Sequence, residues 1–305
     1  MSFVGQHINL LLNIVLAMIM FGLGLGLKRE DFKQLFDQPK PLAIGLSAQM
    51  LLLPLVAWFI VSQVNISPEL KVGVMILSVC PGGITSNLVS YFVKGNVALA
   101  VSLTVSNAFL SLFSIPLMVN LFLEGFIHGD RINANIHLPF WSTLFEIFSV
   151  TIVPAALGMA VRLQLGKKLI QLQKVINVVL PILLLMVFSF KFLAGNNNGG
   201  TSITGAEIWK LTPVVIALNV LSMFVGFLMG KFFSLSFKNR ITIAVEVGLH
   251  NTALALLIAG EKLGVSQMEK PALVYALYSF AVTFAVAWAM MRLRYLRLKK
   301  RGHFS

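Results

Sequence analysis

The 305-residue chain is 57% hydrophobic and only 11% charged, whereas a soluble domain carries roughly 25% charged residues. Its net charge of +13 would suit a nucleic-acid binder, but the Lys and Arg residues stand between apolar runs and in a short tail, so they offer no basic face and act as topology signals. Cys80 is the only cysteine, which excludes a disulfide within the chain and a cysteine metal cluster.

In chain order, helical spans are expected at about 8–27, 41–63, 70–93, 96–123, 140–163, 170–194, 208–233, 240–260 and 270–293. Five or more uncharged, apolar-rich runs reach the ~20 residues that a helix needs to cross a ~30 Å hydrocarbon core. The links are short, so each span is expected to be a full crossing. The first run begins near His7 with neither a basic n-region nor a small-residue cleavage site, and reads as a retained helix. Asn196-Asn197-Asn198-Gly199-Gly200 reads as a flexible polar loop. The expected fold is an all-α integral membrane protein of about nine transmembrane helices.

Nine crossings put the termini on opposite sides. The loops after the odd-numbered spans before the last, with the C-terminal tail, hold 18 of the 24 Lys and Arg, and the other side holds 6. That asymmetry makes the first side cytoplasmic. The expected placement is a cell (inner) membrane protein with its N-terminus outside and residues 294–305 as a basic cytoplasmic tail. Arg292 to Arg301 could also bind anionic lipid.

The third span contains Cys80-Pro81-Gly82-Gly83-Ile84-Thr85-Ser86-Asn87. Pro81 removes a donor and clashes with the preceding turn, and Gly82 and Gly83 follow at once, so the helix is expected to break near mid-membrane. Broken backbone survives at that depth only where it is buried in protein or lines a cavity. The oxygens of Thr85, Ser86 and Asn87 then suit an ion or a small polar ligand, although a plain Pro-Gly kink would use the same residues.

The eighth span contains Glu246-Val247-Gly248-Leu249-His250-Asn251-Thr252. Glu246 is the acid deepest in an apolar run, and a buried carboxylate is costly unless it functions. It could ligate a cation when ionised or carry a proton when neutral. His250 lies four residues on, on the same face of an unbroken helix, and an interhelical hydrogen bond is its ordinary role. Gly248 permits a second break, without a proline to force it. Glu146 falls near the outer end of its span, where water can reach it. Gln49 and Thr104 are single polar residues in apolar surroundings, more often helix–helix bonds than ligands.

The two unusual spans occupy matching places. Asn87 lies 46 residues after Pro41, and Asn251 lies 45 after Ala206. Each unusual span has one full span before it and one after, and the two triplets start on opposite sides. This is the pattern of an inverted repeat with a broken helix in each copy.

Met20-Phe21-Gly22-Leu23-Gly24-Leu25 with Asp31-Phe32, then Gln49, Cys80-Pro81-Gly82-Gly83 with Ser86-Asn87, Gly95-Asn96-Val97-Ala98-Leu99, Glu246-Val247-Gly248 and Asn251 together resemble the bile acid:sodium symporter family over nearly the whole chain. The resemblance, to the nine-helix form among bacterial homologues, implies two crossing broken helices. It implies a core domain of 41–123 and 206–293 and a panel domain of 1–40 and 124–205. It implies two sodium sites. One would use Ser86, Asn87, Thr104 and Glu246; the other would use Gln49, Glu246, His250 and backbone carbonyls near Val247 and Leu249. Two residues depart from the family pattern: Ala100 stands where a serine is expected, and His250 where a glutamine is. Imidazole nitrogen is a poor ligand for a hard cation and titrates near neutral pH.

The expected function is therefore secondary active transport: sodium-coupled symport of an organic anion, bile-acid-like or a smaller carboxylate, by alternating access. The alternatives are a proton-coupled organic-anion transporter using Glu246 and His250, a cation/proton antiporter, and a membrane enzyme or receptor. Substrate contacts are expected at Asn251, Thr85 and Thr252, between core and panel, where helix N-termini favour negative charge. No enzymatic role, no cofactor and no nucleic acid are expected. The partners are Na+ (or H+), the organic anion and membrane lipid.

Overall fold

The computed structural model describes residues 3–27, 37–127, 136–165, 169–195 and 199–300. Asp31-Phe32 of the family-like motif, the Asn196–Asn198 loop, and the topology charges Lys28, Arg29, Lys33, Arg131, Lys167, Lys168 and Arg301 lie outside the described residues. Among the described residues there are helices and no strands.

The helices are α1 (Phe3–Gly26), α2 (Pro39–Ser62), α3 (Pro68–Val79), α4 (Ile84–Phe92), α5 (Val97–Phe126), α6 (Phe140–Gln164), α7 (Leu169–Leu193), α8 (Gly205–Phe232), α9 (Phe237–Gly248), α10 (252–262) and α11 (Ser266–Lys300). Among the described residues six stretches are long and apolar enough to cross a membrane: Pro39–Ser62, Val97–Phe126, Phe140–Gln164, Gly205–Phe232, Phe237–Lys262 and Ser266–Leu296. Leu10–Gly26 and Ile182–Leu193 are shorter apolar helices. The expected third span is divided into α3 and α4.

Local chemistry starts these helices where they start. Ser67 accepts from Leu70 N at the head of α3, and Asn96 from Leu99 N at the head of α5. Thr204 and Glu207 form a reciprocal capping box on α8, and Ser236 accepts from Asn239 N at the head of α9. Each bond satisfies an amide that has no partner within the helix. Arg162 on α6 donates to the carbonyls of Leu25 (2.6 Å) and Gly26 (2.8 Å), closing the C-terminal end of α1.

The outside is apolar: Trp58, Phe59, Leu117, Leu121, Phe145, Leu185 and Phe224 are exposed. The inside carries buried polar groups, among them Gln49, Ser86, Thr104, Asn219 and Glu246. That inversion is stable in hydrocarbon and would associate in water. The α9–α10 stretch is 89% buried, against 22% for α6, so the second broken helix is central and α6 peripheral. α1 packs along α6 and α7, while α8 packs on α9 and α11, and α3 on α2, α5 and α11.

Candidate functional site

α3 and α9 are built alike. Each begins on a serine cap, runs 12 residues, and ends in extended backbone. Twelve residues span about 18 Å, a little over half of a ~30 Å hydrocarbon core. Pro81 drives the first break: Cys80 before it is extended, with ψ 134°, as the residue before a proline must be. Gly83 is also extended, and α4 restarts at Ile84.

The second break has no proline, and long-range bonds hold it. The carbonyl of Gly248 accepts from Asn219 Nδ2 at 2.7 Å and from the Tyr275 hydroxyl. Asn219 in turn donates to Thr283 Oγ1 at 2.8 Å. The amide of Asn251, which would have bonded Val247 in a continuous helix, donates instead to the carbonyl of Pro81 at 2.8 Å. The Asn251 side chain then caps α10 by accepting from Leu254 N at 3.0 Å. The helix ends at the residue where the sequence permits a second break. Gly248 is the last residue of α9, its carbonyl is taken by side chains, and the open backbone is 249–251. The shared face of Glu246 and His250 required an unbroken helix, and the helix ends before His250. Its ring packs on Tyr275, centroids 5.2 Å apart.

The first break lies directly on Glu246. A Cβ added to Gly82 would sit 2.5 Å from Glu246 Oε1 and 3.2 Å from Ser86 Oγ, so only glycine lets the chain pass so close. Thr104 Oγ1 donates to Glu246 Oε1 at 2.6 Å, and also lies 3.3 Å from Asn87 Oδ1 and 3.0 Å from the carbonyl of Ala100. A hydroxyl has one hydrogen, so three oxygens compete for it. The Ser86 hydroxyl reaches both the Glu246 carboxylate and the carbonyl of Gly83. Glu246 Oε2 and Gln49 Oε1 are buried without a hydrogen-bond partner, while Gln49 Nε2 donates to the carbonyl of Cys80 at 3.3 Å. Gln49 stands in a widened π-type turn, Ala48–Leu52, a distortion common at functional sites. Among the described residues no cation pairs with Glu246. The cluster thus has more oxygen acceptors than hydrogens to satisfy them, around a buried carboxylate. Such a cluster is chemically suited to a small hard cation, which takes oxygen ligands.

The structure therefore brings Ser86, Asn87, Thr104 and Glu246 together, with Gln49 at the adjoining break. Val247 and Leu249 are buried, and the carbonyl of Val247 is released from the helix. His250 is 6% exposed, and neither of its nitrogens has a partner.

A cavity of ≈ 290 Å³ adjoins the cluster. Met20 and Leu23 of α1, Leu27 just past its end, and Ala155, Ala156 and Met159 of α6 form one wall; Thr104, Ala108 and Phe109 of α5, with Pro81, Gly82 and Asn251, form the other. Thr104 therefore faces both the cavity and Glu246. Thr85 is exposed, Thr252 is half-buried, and neither lines the cavity.

A second polar cluster was not legible as such. Lys191 Nζ on α7 donates to both carboxylate oxygens of Glu269 on α11, at 3.0 and 2.9 Å, with side-chain exposures of 2% and 5%. Lys262 pairs with Glu146 of α6, so the water-facing role open to Glu146 becomes an ion pair. Asn13 of α1 donates to Glu261 at 2.8 Å. Thus α1, α6 and α7 each have a polar bridge to the segment 261–269. Lys191, counted in the sequence as a boundary charge, gave one signal: it stands within Phe188-Ser189-Phe190-Lys191-Phe192-Leu193. Asn219, Tyr275 and Thr283 gave none, because single polar residues in apolar runs are common.

The model of the Sodium Bile acid symporter family matches residues 13–200. The sodium-dependent transporter YocS of Bacillus subtilis is 29% identical over 81% of this chain and 73% of its own length. The human ileal sodium/bile acid cotransporter is 25% identical over 81% of this chain and 68% of its own. The probable chloroplastic sodium/metabolite cotransporter BASS1 of Arabidopsis thaliana is 26% identical over 82% of this chain. This chain spans 59% of the plant protein's length.

Proposed function

Since the chain belongs to the sodium bile acid symporter family, whose members are transporters and not enzymes, we propose that it is a multi-pass symporter coupling sodium entry to uptake of an organic anion. The observation that carries this reading is the surplus of buried oxygen acceptors around Glu246, set against a cavity that shares Thr104 with it. One sodium ion is held by Ser86, Asn87, Thr104 and Glu246. A second is held by Gln49 Oε1, Glu246 Oε2 and the carbonyls of Val247 and Leu249, with His250 alongside. Asn251 meets the anion in the cavity.

The core comprises 41–123 and 206–293 as an inverted repeat, and the panel 1–40 and 124–205, with nine crossings in all. The N-terminus is outside, and the tail 294–305 is cytoplasmic. The equal lengths of α3 and α9, their serine caps and the packing of α1 on α6 and α7 support this division. Asn13 precedes Met20 by seven residues, about 10 Å along α1. The three bridges to 261–269 therefore lie at the other end of the panel from the cavity wall. They close one side of the membrane while the cavity serves the other.

A cation that binds only the folded state raises apparent stability, by about 2.7 kcal/mol at a hundredfold excess over Kd. Thermal unfolding in Na+, K+ or choline, at about pH 6 and about pH 8 on either side of histidine's ordinary range, tests the reading. Na+ alone stabilises the native chain, and Glu246→Ala abolishes the effect. Equal stability in all three salts refutes it. A second reading rests on the unpartnered nitrogens of His250: a proton replaces the second sodium. In that case Na+ stabilisation changes with pH, and His250→Gln removes the change; a pH-independent response excludes this version.

A further inference from the structure

Away from the broken helices, a groove of ≈ 540 Å³ opens between the C-terminal end of α8, the start of α9 and the late turns of α11. Its rim holds Lys231, Arg240 and Arg294; its walls include Phe227, Phe237 and Leu293. We propose that this groove binds one anionic phospholipid of the surrounding leaflet, with the phosphate between the three cations and an acyl chain along the aromatic wall.

Three observations support that occupant. First, the positive charge is uncompensated. The sequence has no Asp or Glu from 208 to 245 or from 270 to its end, and among the described residues no carboxylate pairs with any of the three cations. Topology alone would need basic residues only somewhere in the loops; here they converge on one concavity. Second, the two arginines are held in place. Arg240 Nε donates to the carbonyl of Leu235 at 2.6 Å, which leaves its terminal nitrogens free for a planar, bidentate oxyanion contact. The Arg294 guanidinium lies 4.2 Å from the centroid of the Phe237 ring, a cation–π contact that orients it. Third, the groove stands at a membrane boundary. Phe224, Phe232 and Phe233 are exposed around it, and exposed aromatics gather where hydrocarbon meets headgroups. A soluble anion would have no use for the apolar wall, whereas a lipid fills both halves of the site.

The inference rests on the membrane placement of the chain and not on its coupling ion, so its test runs beside the sodium test on the same samples. Native mass spectrometry of the detergent-purified full chain would compare phosphatidylglycerol, phosphatidylcholine of matched chains, and inorganic phosphate. Each Lys or Arg near an anionic lipid contributes roughly fivefold in affinity. The double variant Lys231→Gln/Arg294→Gln should therefore weaken phosphatidylglycerol binding roughly 25-fold, and Arg294→Gln alone roughly fivefold. Lys71→Gln/Lys210→Gln, at the other end of the helices, should leave it unchanged, and all variants should keep the native response to Na+. Equal retention of the two lipids overturns the proposal. So does native affinity in the double variant. Displacement of the lipid by inorganic phosphate overturns it in favour of a soluble-anion site.

Discussion

Replacing Glu269 by glutamine removes the charge that faces Lys191 while keeping the size of the side chain. Lys191 would then stay buried with its ammonium facing a neutral amide. The native pair makes two bonds, of 2.9 and 3.0 Å, with almost no exposure of either side chain. Removing one partner of such a pair costs about 3–5 kcal/mol, because the remaining charge is left uncompensated. The pair joins α7 to α11, and on the proposed division it exists only while the panel is docked at that end. The whole loss therefore falls on the closed arrangement, and shifts the balance toward the open one by roughly 150- to 5,000-fold. The assay is labelling by a membrane-impermeant thiol reagent of Ala272→Cys, a 1% exposed position one turn from Glu269, in a Cys80→Ala background. Glu269→Gln should speed labelling steeply. Lys191→Met/Glu269→Leu should slow it again, since an apolar pair of similar volume replaces a buried ion pair at little loss. A Glu269→Gln protein that labels at the native rate, with apparent stability within about 0.5 kcal/mol of native, would refute the reasoning.

Gly260→Ala should imitate Glu269→Gln with every charge intact, because the new methyl would overlap Glu269 Oε1; the same labelling assay checks it. Gly82→Ala should abolish sodium stabilisation without removing any ligand, since its methyl must displace the Glu246 carboxylate; an unchanged thermal shift in Na+ would contradict the geometry. Asn219→Ala leaves the carbonyl of Gly248 with only the Tyr275 hydroxyl. It should lower stability by about 1–3 kcal/mol and weaken the sodium response, measured by thermal unfolding at several sodium concentrations.

How much of this was readable in the sequence depends on the distance over which each feature is determined. The first break was legible because its cause is covalent and local: a proline followed by two glycines stops a helix in any surroundings. The caps at Ser67 and Ser236 are equally local. At the second break the sequence offers only Gly248, which permits a break without forcing one. Its real supports, Asn219, Tyr275 and Thr283, are 27 to 35 residues away along the chain. Asn251 was marked as a substrate contact on position alone; its side chain also starts a helix, and its amide satisfies Pro81. Glu246 stood out because an acid deep in an apolar run is rare. Glu269 did not, because it precedes Lys270 near the start of a span and resembles an ordinary boundary charge. Only packing shows that Lys191 reaches it from another helix.

The bond from the Asn251 amide to the Pro81 carbonyl has a mechanical consequence. Each group lies outside the regular helix on its own chain segment, and each is satisfied by the other. Straightening either broken helix would satisfy its own group but strand the partner group on the other, a loss of several kcal/mol in hydrocarbon. The crossing therefore behaves as a knot that holds itself tied. On the proposed alternating-access reading, motion that carries a solute across the membrane would pass around it, along the seams where whole helices slide.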